Sequence, residues 1–378
     1  MDRRAKIGLS ALTIFAALVL LAVTTRTYAP RTGTLVSTGT PETARFAHTA
    51  TLLRDSRVLI AGGMQRNGVW LDSAEIYDPA RGRFLPAGTM LSLRAGAMAA
   101  LLPSGKVLIA GGTDGSGKSL RTTEIYNPET NAFIPGPDML AARAHGVAVL
   151  LRSGKVLIVG GCAEGDDGVL ASAELYDPAD GSFSWTGTMH IPRGYFNAVV
   201  LANGNVLVTG GMSGGQFPDV KVEASAEIYN RAIGRFALTS PMSVPRYKHG
   251  MALLKDGRVL VIGGQSEGAF GPRLASTEIY EPESRSFRRG PEMRYARYKL
   301  LEGVVTLNDG QVLVAGGAEQ PELYDPDANS FVPVAGPKLE GFYFSTATPL
   351  ADGKVLLVDG YGRRPMAGAV RQAWLWKP

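Results

Sequence analysis

Two kinds of charged side chain recur along this sequence at matching positions. An arginine precedes the first apolar segment of six repeated units, at Arg45, Arg94, Arg143, Arg193, Arg246 and Arg297. A glutamate follows later in each unit, at Glu75, Glu124, Glu174, Glu227, Glu278 and Glu322. A ring of guanidinium groups could bind an anionic or sugar ligand, since each offers several hydrogen-bond donors. Arginine–glutamate pairs between the units are the alternative, and recurrence in every one of these units favours this structural role.

Polar and aromatic residues interrupt the repeat just after the arginines. They are His48, His145, Tyr195, Asn197, Tyr247, His249, Tyr298 and Tyr343. Such side chains are typical of a surface that binds carbohydrate or peptide, because they combine an apolar ring with a polar group. We therefore take as candidate ligand-binding residues His48, Arg94, His145, Arg193, Tyr195, Arg246, Tyr247, His249 and Tyr298.

The elements that must position these residues repeat with a period near fifty. Gly-Gly pairs begin at Gly62, Gly111, Gly160, Gly210, Gly263 and Gly316, and a degenerate seventh follows at Asp359 and Gly360. Each unit contains four short, β-branched apolar segments bounded by turn residues, which predicts four strands, a to d. Repeats of this length and content predict an all-β fold, a seven-bladed β-propeller with four-stranded blades.

The residues of each unit resemble the kelch repeat family. Its motif is a strand that runs into Gly-Gly, a later tyrosine, an aromatic residue, and then Met or Pro before an arginine. Here the aromatic residue is phenylalanine, seven positions after its tyrosine as in Tyr77 and Phe84, where kelch units usually carry tryptophan. The resemblance covers nearly all of the chain after residue 30 and extends to the kelch-like blades of galactose oxidase. It implies a propeller, whereas function must be argued from the site.

The two ends of the chain predict how the ring closes. The last unit stops at Trp374–Pro378, which aligns with strand c and leaves strand d missing. Residues 33–40 look like the strand d segment at 82–89 but have no unit before them. We therefore expect the N-terminal strand to complete the seventh blade, which also pairs an otherwise open edge.

Loop lengths predict which face of the propeller binds a partner. The turns between strands a and b and between c and d keep a constant length, whereas 4 to 15 residues separate Gly-Gly from the strand c glutamate. These variable b to c connections lie on the same face as the arginines, because strands alternate in direction. Variable loops on a rigid scaffold are where binding usually occurs.

The N-terminal segment predicts export. Arg3, Arg4 and Lys6 precede an uncharged, mostly apolar run from Ile7 to Thr25. We expect residues 1–29 to be a signal peptide or a signal anchor and residues 30–378 to be an extracytoplasmic propeller, secreted, periplasmic or attached to the membrane by that segment alone. Residues 30–378 carry a net charge of only +2, which is no nucleic-acid footprint.

One cysteine and one acidic loop have simple interpretations. Cys162 is the chain's single cysteine, which excludes an internal disulfide framework, and its place after Gly-Gly predicts an exposed, incidental thiol. Residues 164–167 are acidic enough to contact calcium, but a solvated loop is the favoured interpretation.

The sequence contains partial patterns of three enzyme classes. Gly112–Ser119 fits the P-loop pattern, but a strand follows where a phosphate-binding helix is required. Residues 193–195 are similar to the radical-tyrosine segment of copper radical oxidases, yet His145 stands where that family has its cysteine, and Lys248 separates Tyr247 from His249. A metal-free site like that of kelch-type sugar mutarotases could use acid–base groups near an arginine.

These observations predict an exported, non-catalytic kelch module that binds a protein or carbohydrate partner and needs no cofactor or metal. The alternative is an envelope carbohydrate-active enzyme such as a sugar mutarotase or, less favoured by the residues, a relative of the copper radical oxidases. A polar funnel of a few hundred cubic ångströms on the arginine face would favour the enzyme, and a flat or plugged face would favour binding.

Overall fold

Seven four-stranded antiparallel sheets form the described part of the chain. The computed structural model describes residues 32–66, 69–163, 168–214, 220–268, 271–339, 343–358, 360–362 and 370–378. Arg31–Pro378 forms one compact unit. In every blade the order is a, b, c, d, and strands a of successive blades contact each other around a central channel. The predicted seven-bladed propeller is confirmed.

Each blade has short strands of similar length. Strands a to d are Thr49–Leu52, Val58–Ala61, Ala74–Asp78 and Arg83–Pro86 in blade 1; Met98–Leu101, Val107–Ala110, Thr123–Asn127 and Ala132–Pro135 in blade 2; Val147–Leu150, Val156–Val159, Ala173–Asp177 and Ser182–Trp185 in blade 3; and Asn197–Val200, Val206–Thr209, Ala226–Asn230 and Arg235–Thr239 in blade 4. They are Gly250–Leu253, Val259–Ile262, Thr277–Glu281 and Ser286–Arg289 in blade 5; Val304–Thr306, Val312–Val314, Glu322–Asp325 and Ser330–Pro333 in blade 6; and Thr346–Pro349, Val355–Val358, Ala373–Lys377 and Thr34–Ser37 in blade 7. Two hairpins extend b to c connections: Met64–Arg66 with Val69–Trp70, and Met212–Gly214 with Lys221–Val222.

The ring closes as the sequence predicts. Strand Thr34–Ser37 pairs antiparallel with strand c of blade 7, and Leu35 lies opposite Trp376. Both side chains are buried in the apolar layer between blades 6 and 7. The N-terminal strand therefore supplies main-chain hydrogen bonds and apolar surface to the last blade.

The core lies between the blades, and the residue spacing explains it. Strand b is buried throughout in blade 1, where Val58–Ala61 packs on both faces. The hairpin between strands c and d places Tyr77 directly opposite Phe84, with ring centroids 5.0 Å apart. This register is why the phenylalanine follows its tyrosine by seven positions. Tilted pairs of this kind stabilise a fold by about 0.5–1.5 kcal/mol beyond their buried area.

The Gly-Gly pairs fit where one blade meets the next. Gly111 and Gly112 both adopt positive φ, 64° and 92°. Gly112 donates a hydrogen bond to the carbonyl of Arg143, which enters the next blade, and a Cβ at Gly111 would collide with that carbonyl. Glycine is therefore required by both conformation and close approach.

Candidate functional site

The recurring arginines and glutamates form buried ion pairs. In blade 3, Arg143 Nη2 lies 2.6 Å from Glu174 Oε1, and Arg143 Nη1 donates to the carbonyl of Gly160 at 2.7 Å. The same carboxylate accepts the backbone N–H groups of Leu140 and Ala141 at 2.7 and 3.1 Å. Equivalent pairs, with distances from 2.8 to 3.1 Å, are Arg45–Glu75, Arg94–Glu124, Arg193–Glu227, Arg246–Glu278 and Arg297–Glu322.

Each pair lies within one blade rather than between blades, which corrects the pairing expected from the sequence. The glutamate instead holds the connection that arrives from the preceding blade. None of the six arginines is more than 1% exposed. Among the candidate residues, Arg94, Arg193 and Arg246 therefore belong to the framework and do not reach the surface.

Two positions after each of the six arginines, and at Phe344 in blade 7, the backbone adopts a left-handed conformation, and these positions form a ring at the channel entrance. These residues, the mouth ring, are Ala47, Gly96, His145, Tyr195, Lys248, Lys299 and Phe344, with φ from 52° to 61°. Tyr195 donates its N–H to the carbonyl of His145, and Lys248 donates to the carbonyl of Tyr195. This pattern continues around the whole ring at 2.8 to 3.3 Å, except that Leu300 replaces Lys299 as the donor in blade 6. Left-handed conformation costs a non-glycine residue about 1 kcal/mol, which these hydrogen bonds offset.

Two connected spaces occupy the channel below the mouth ring. The first encloses about 180 Å³ and is bounded by Ala47, Gly96, His145 and Phe344 among others. The second encloses about 290 Å³ and shares Glu302 with the first. The face is thus neither flat nor fully plugged, and the upper space is smaller than a typical small-molecule pocket, about 300–1,000 Å³. The chemistry of the lining must therefore decide what the channel binds.

Glu302 is the acidic group where the two spaces meet. Its side chain is exposed to the channel and is flanked by the strands that line it. Desolvation raises the pKa of this carboxyl to about 7. A carboxyl group that titrates near neutrality can accept or donate a proton at physiological pH.

Cations and aromatic rings gather at the other side of the entrance. This mouth cluster consists of Lys248, Lys299, Arg273, Tyr195, Tyr298, Tyr343, Phe344 and Tyr361. Lys248 Nζ lies 4.4 Å from the centroid of Tyr195, whose ring stacks on His145 at 4.2 Å. Lys299 Nζ lies 4.7 Å from the centroid of Tyr361 and donates to its hydroxyl.

Burial controls the protonation of this cluster. Desolvation lowers the pKa of Lys248 to about 8. Desolvation, with repulsion from Lys248 and Arg273, lowers the pKa of Lys299 to about 7. Burial raises the pKa of the Tyr195 hydroxyl, which stays protonated. Lys299 is therefore near its titration midpoint at neutral pH, whereas Lys248 is mostly charged.

The remaining candidate residues divide between packing and the entrance. His48 Nε2 lies 3.0 Å from Thr346 Oγ1 in the neighbouring blade, and His249 Nε2 lies 2.8 Å from Thr209 Oγ1. Desolvation lowers the pKa of each imidazole to about 3, so both stay neutral. Tyr247 is buried, with its hydroxyl donating to Gln265. The structure brings His145, Tyr195 and Tyr298 to the entrance.

Sequence reasoning missed the groups that give the entrance its charge. The repeat pattern gives Lys248 only as the residue between Tyr247 and His249 and does not single out Lys299, Arg273 or Glu302. The available signal was position: Lys248 and Lys299 stand two places after an arginine, as His145 and Tyr195 do. Comparing the residue two positions after the arginine in every repeat would have identified the mouth ring.

Three other predictions from the sequence can be compared with the structure. Residues 112–119 form a loop followed by strand Thr123–Asn127, as expected, so no helix follows the P-loop pattern. Cys162 is half-buried rather than exposed, and desolvation raises the pKa of its thiol to about 12. The acidic residues 164–167 lie outside the described residues, as does Phe342 at the seventh arginine position.

The described residues do not fit a copper centre. His48 and His249 bind threonines, His145 stacks on Tyr195, and His190 pairs with Glu227. Across the described ranges, no three His, Cys, Asp or Glu side chains converge in a way that could hold a metal ion.

Among the residues that the structure describes, no helix has the length and apolar character needed to cross a bilayer.

Comparison with known proteins agrees with the blade pattern. The Kelch motif matches residues 97–140 and 252–294. The chain is a seven-bladed propeller with Kelch motifs in two of its blades. Human Kelch-like protein 33 is 29% identical to it over 123 residues, which cover 31% of this chain and 22% of the relative. The kelch propeller thus spans only about a fifth of that relative's length.

A solved structure shares the whole fold of the kelch propeller. It is a fungal alcohol oxidase of the AA5 family with copper bound, and the superposition has a TM-score of 0.70. The match covers 92% of this chain and 76% of the oxidase at 17% identity. At that identity the likeness shows the fold alone.

Proposed function

We propose that this kelch propeller is an exported, non-catalytic binding module whose entrance face captures a protein or glycan partner at the cell envelope. The mouth cluster carries the proposal, because cations and aromatic rings lie together on the face with variable b to c connections. Kelch repeat domains generally bind proteins. Aromatic residues are also enriched among those that dominate binding energy.

Export is supported by the N-terminal segment. Arg3, Arg4 and Lys6 before the apolar run from Ile7 to Thr25 suit either a cleaved signal or a retained anchor. N-terminal sequencing of the protein from each cell fraction tests both forms. Recovery of the intact chain in the cytoplasm alone would refute export.

Retention on isolated cell envelopes tests the binding face. Arg273 is exposed in the mouth cluster, and Arg231 is exposed at a c to d turn on the opposite face. We expect Arg273→Glu to lower retention of the full chain by about fivefold or more, because a reversed charge opposes binding, while Arg231→Glu leaves it unchanged. Equal retention of both variants would exclude the entrance face. Pre-treating the envelopes with protease or periodate separates a protein partner from a glycan partner.

A second candidate function rests on Glu302. A carboxyl with a pKa near 7, in a channel open to water, could exchange protons with a small sugar as a mutarotase requires. NMR exchange measurements on a panel of reducing sugars would detect faster anomerisation. The enzyme interpretation predicts that Glu302→Gln abolishes the acceleration, and a rate equal to that of buffer would refute it.

A further inference from the structure

The two lysines of the mouth cluster are cations without an acidic partner in the described part of the chain. Lys248 and Lys299 are surrounded by aromatic rings, and the ion pairs of the described residues involve other groups. Elsewhere this protein neutralises its buried cations, as Glu174 does for Arg143. Lys248 and Lys299 are half-buried, so each ammonium loses part of its hydration without gaining a counter-charge, and a ring face offsets only part of that cost.

The neighbouring groups add positive charge, and the acceptors that they offer are neutral tyrosine hydroxyls, those of Tyr343 and Tyr361. Arg273 lies 4.6 Å from the centroid of Tyr298 and donates to the Tyr343 hydroxyl at 2.6 Å. Repulsion from Lys248 and Arg273 acts on Lys299 directly. An anion placed between the two amines would relieve this repulsion and form charge-assisted hydrogen bonds.

Space for the rest of a ligand lies beside the amines. Phe344 lies 5.9 and 5.1 Å from the amines of Lys248 and Lys299, and it also lines the upper channel space of about 180 Å³. That volume suits a body the size of a monosaccharide, flanked by Phe344 and His145. A longer polymer could not enter it as a whole.

Glu302 sets the orientation of such a ligand. It lines the same space, and its ionised form carries the opposite charge to the lysines. A second anion beside Glu302 would be repelled, whereas ligand hydroxyl groups could donate hydrogen bonds to it. The acidic group must therefore lie at the entrance and the hydroxyl-bearing part deeper in the channel.

We propose that Lys248 and Lys299 bind the oxyanion of a monosaccharide-sized ligand, a carboxylate or a phosphate, whose polyhydroxyl body occupies the channel toward Glu302. This proposal rests on the proposed binding function and names the chemistry recognised at the same face. It makes the lysine pair the positive pole of the site and Glu302 its hydrogen-bond acceptor.

Calorimetric titration of the full chain with four probes tests the proposal. The probes are D-glucuronate, D-glucose 6-phosphate, inorganic phosphate and neutral D-glucose. We expect the sugar acid, the sugar phosphate or both to bind at least about tenfold more tightly than glucose, since a charge-assisted contact to each amine is added. Binding of D-glucuronate but not of D-glucose 6-phosphate identifies a carboxylate ligand, and the reverse result identifies a phosphate ligand. Binding of inorganic phosphate alone, or equal binding of glucose, would overturn the proposal.

Matched lysine variants provide the control. Lys248→Met and Lys299→Met keep side-chain length and remove the charge, and each should weaken the acidic sugar by about tenfold or more. Lys155→Met removes a lysine that pairs with Asp177 on the opposite face and should change nothing. Unchanged affinity in both single variants would contradict the proposal even if the wild-type protein binds acidic sugars.

A measurement on the wild-type chain covers the case in which a variant fails to fold. Because an anion favours the charged amines, binding at pH 8 should take up protons, which appears as a dependence of the heat on the buffer's ionisation enthalpy. Heat independent of the buffer would contradict a role for the lysines.

Loss of acidic-sugar binding in the lysine variants with normal envelope retention would separate this site from the partner-binding function. If Arg273→Glu loses envelope retention but the wild-type protein binds none of the anions, the lysine site is refuted while the partner-binding function stands.

Discussion

The carboxylate of Glu174 lies 2.6 Å from the guanidinium of Arg143, and both side chains are fully buried. The same carboxylate binds two backbone N–H groups of the connection that enters blade 3. The ion pair recurs in six blades among the described residues. In five of them the carboxylate accepts two backbone N–H groups, and in blade 6 Glu322 accepts that of Arg294. The junctions between blades are thus held by charge and hydrogen bonds as well as by apolar packing.

Glu174→Gln should destabilise the propeller strongly. Neutralising the carboxylate leaves the Arg143 guanidinium buried without a counter-charge, which typically costs about 3–5 kcal/mol. Chemical denaturation measures the change in the free energy of unfolding. Arg121 and Asp138 form an exposed pair, 59% and 47% exposed, so Arg121→Ala should cost less than about 1 kcal/mol. Similar losses in both variants would contradict the structural role of the buried pair.

Removal of residues 31–41 should lower the melting temperature sharply. The deletion removes strand Thr34–Ser37, which pairs with blade 7, and exposes Trp376. About five hydrogen bonds at roughly 0.5–1.5 kcal/mol each imply a loss of several kcal/mol. A chain that lacks only residues 1–29 retains this strand and should melt normally. An unchanged melting temperature after the longer deletion would refute ring closure by this strand.

Acid should destabilise the protein through His48 and His249. Burial lowers the pKa of each imidazole to about 3, below the unfolded value of 6.5, so the unfolded chain binds protons more readily as the pH falls. Stability from these groups is complete above about pH 6.5 and is lost progressively toward pH 3. The His48→Gln, His249→Gln double variant should show a shallower decline in unfolding free energy below pH 6.5. Parallel declines in the two proteins would contradict this assignment.

Glu302→Gln should stabilise the protein at alkaline pH. The folded-state pKa is raised to about 7, so the folded chain holds this proton more tightly than the unfolded chain, whose value is 4.5. The favourable contribution is complete below about pH 4.5 and is lost as the pH rises through 7. Because channel water screens the charge, the gain at pH 8 should not exceed about 1 kcal/mol. The control is the exposed Glu129→Gln, and equal effects of both substitutions would contradict the prediction.

Gly96→Ala should disturb the mouth ring, whereas Ala47→Gly should not. Gly96 has φ of 61°, and an added Cβ would collide with the imidazole of His145. We expect a loss of about 1–3 kcal/mol and a change in the near-ultraviolet circular dichroism of Tyr195, which stacks on that imidazole. Ala47 has φ of 52°, and glycine at that position should change stability by less than about 1 kcal/mol. An intact tyrosine signal in Gly96→Ala would contradict this packing.

Periodicity made the fold predictable, because each blade repeats the same turn and strand chemistry. The spacing of Tyr77 and Phe84 follows from one hairpin register, and residues 33–40 revealed the closing strand by their likeness to strand d. The site was less predictable. Burial of Arg94 depends on where Glu124 lies in space, which a linear pattern does not specify. The charged entrance is built from seven residues that share a left-handed backbone conformation. Six of them are not glycine, so their residue types did not indicate that conformation in the sequence.

The circle of peptide hydrogen bonds around the entrance ties the blades into one mechanical unit. Every blade contributes a donor and an acceptor to this circle, so tilting a single blade stretches the bonds on both of its sides. The aperture can widen or narrow only by a small displacement shared by all blades. The positively charged side near Lys248 and Lys299 and the rim at Ala47 and Gly96 therefore belong to one continuous hydrogen-bonded ring.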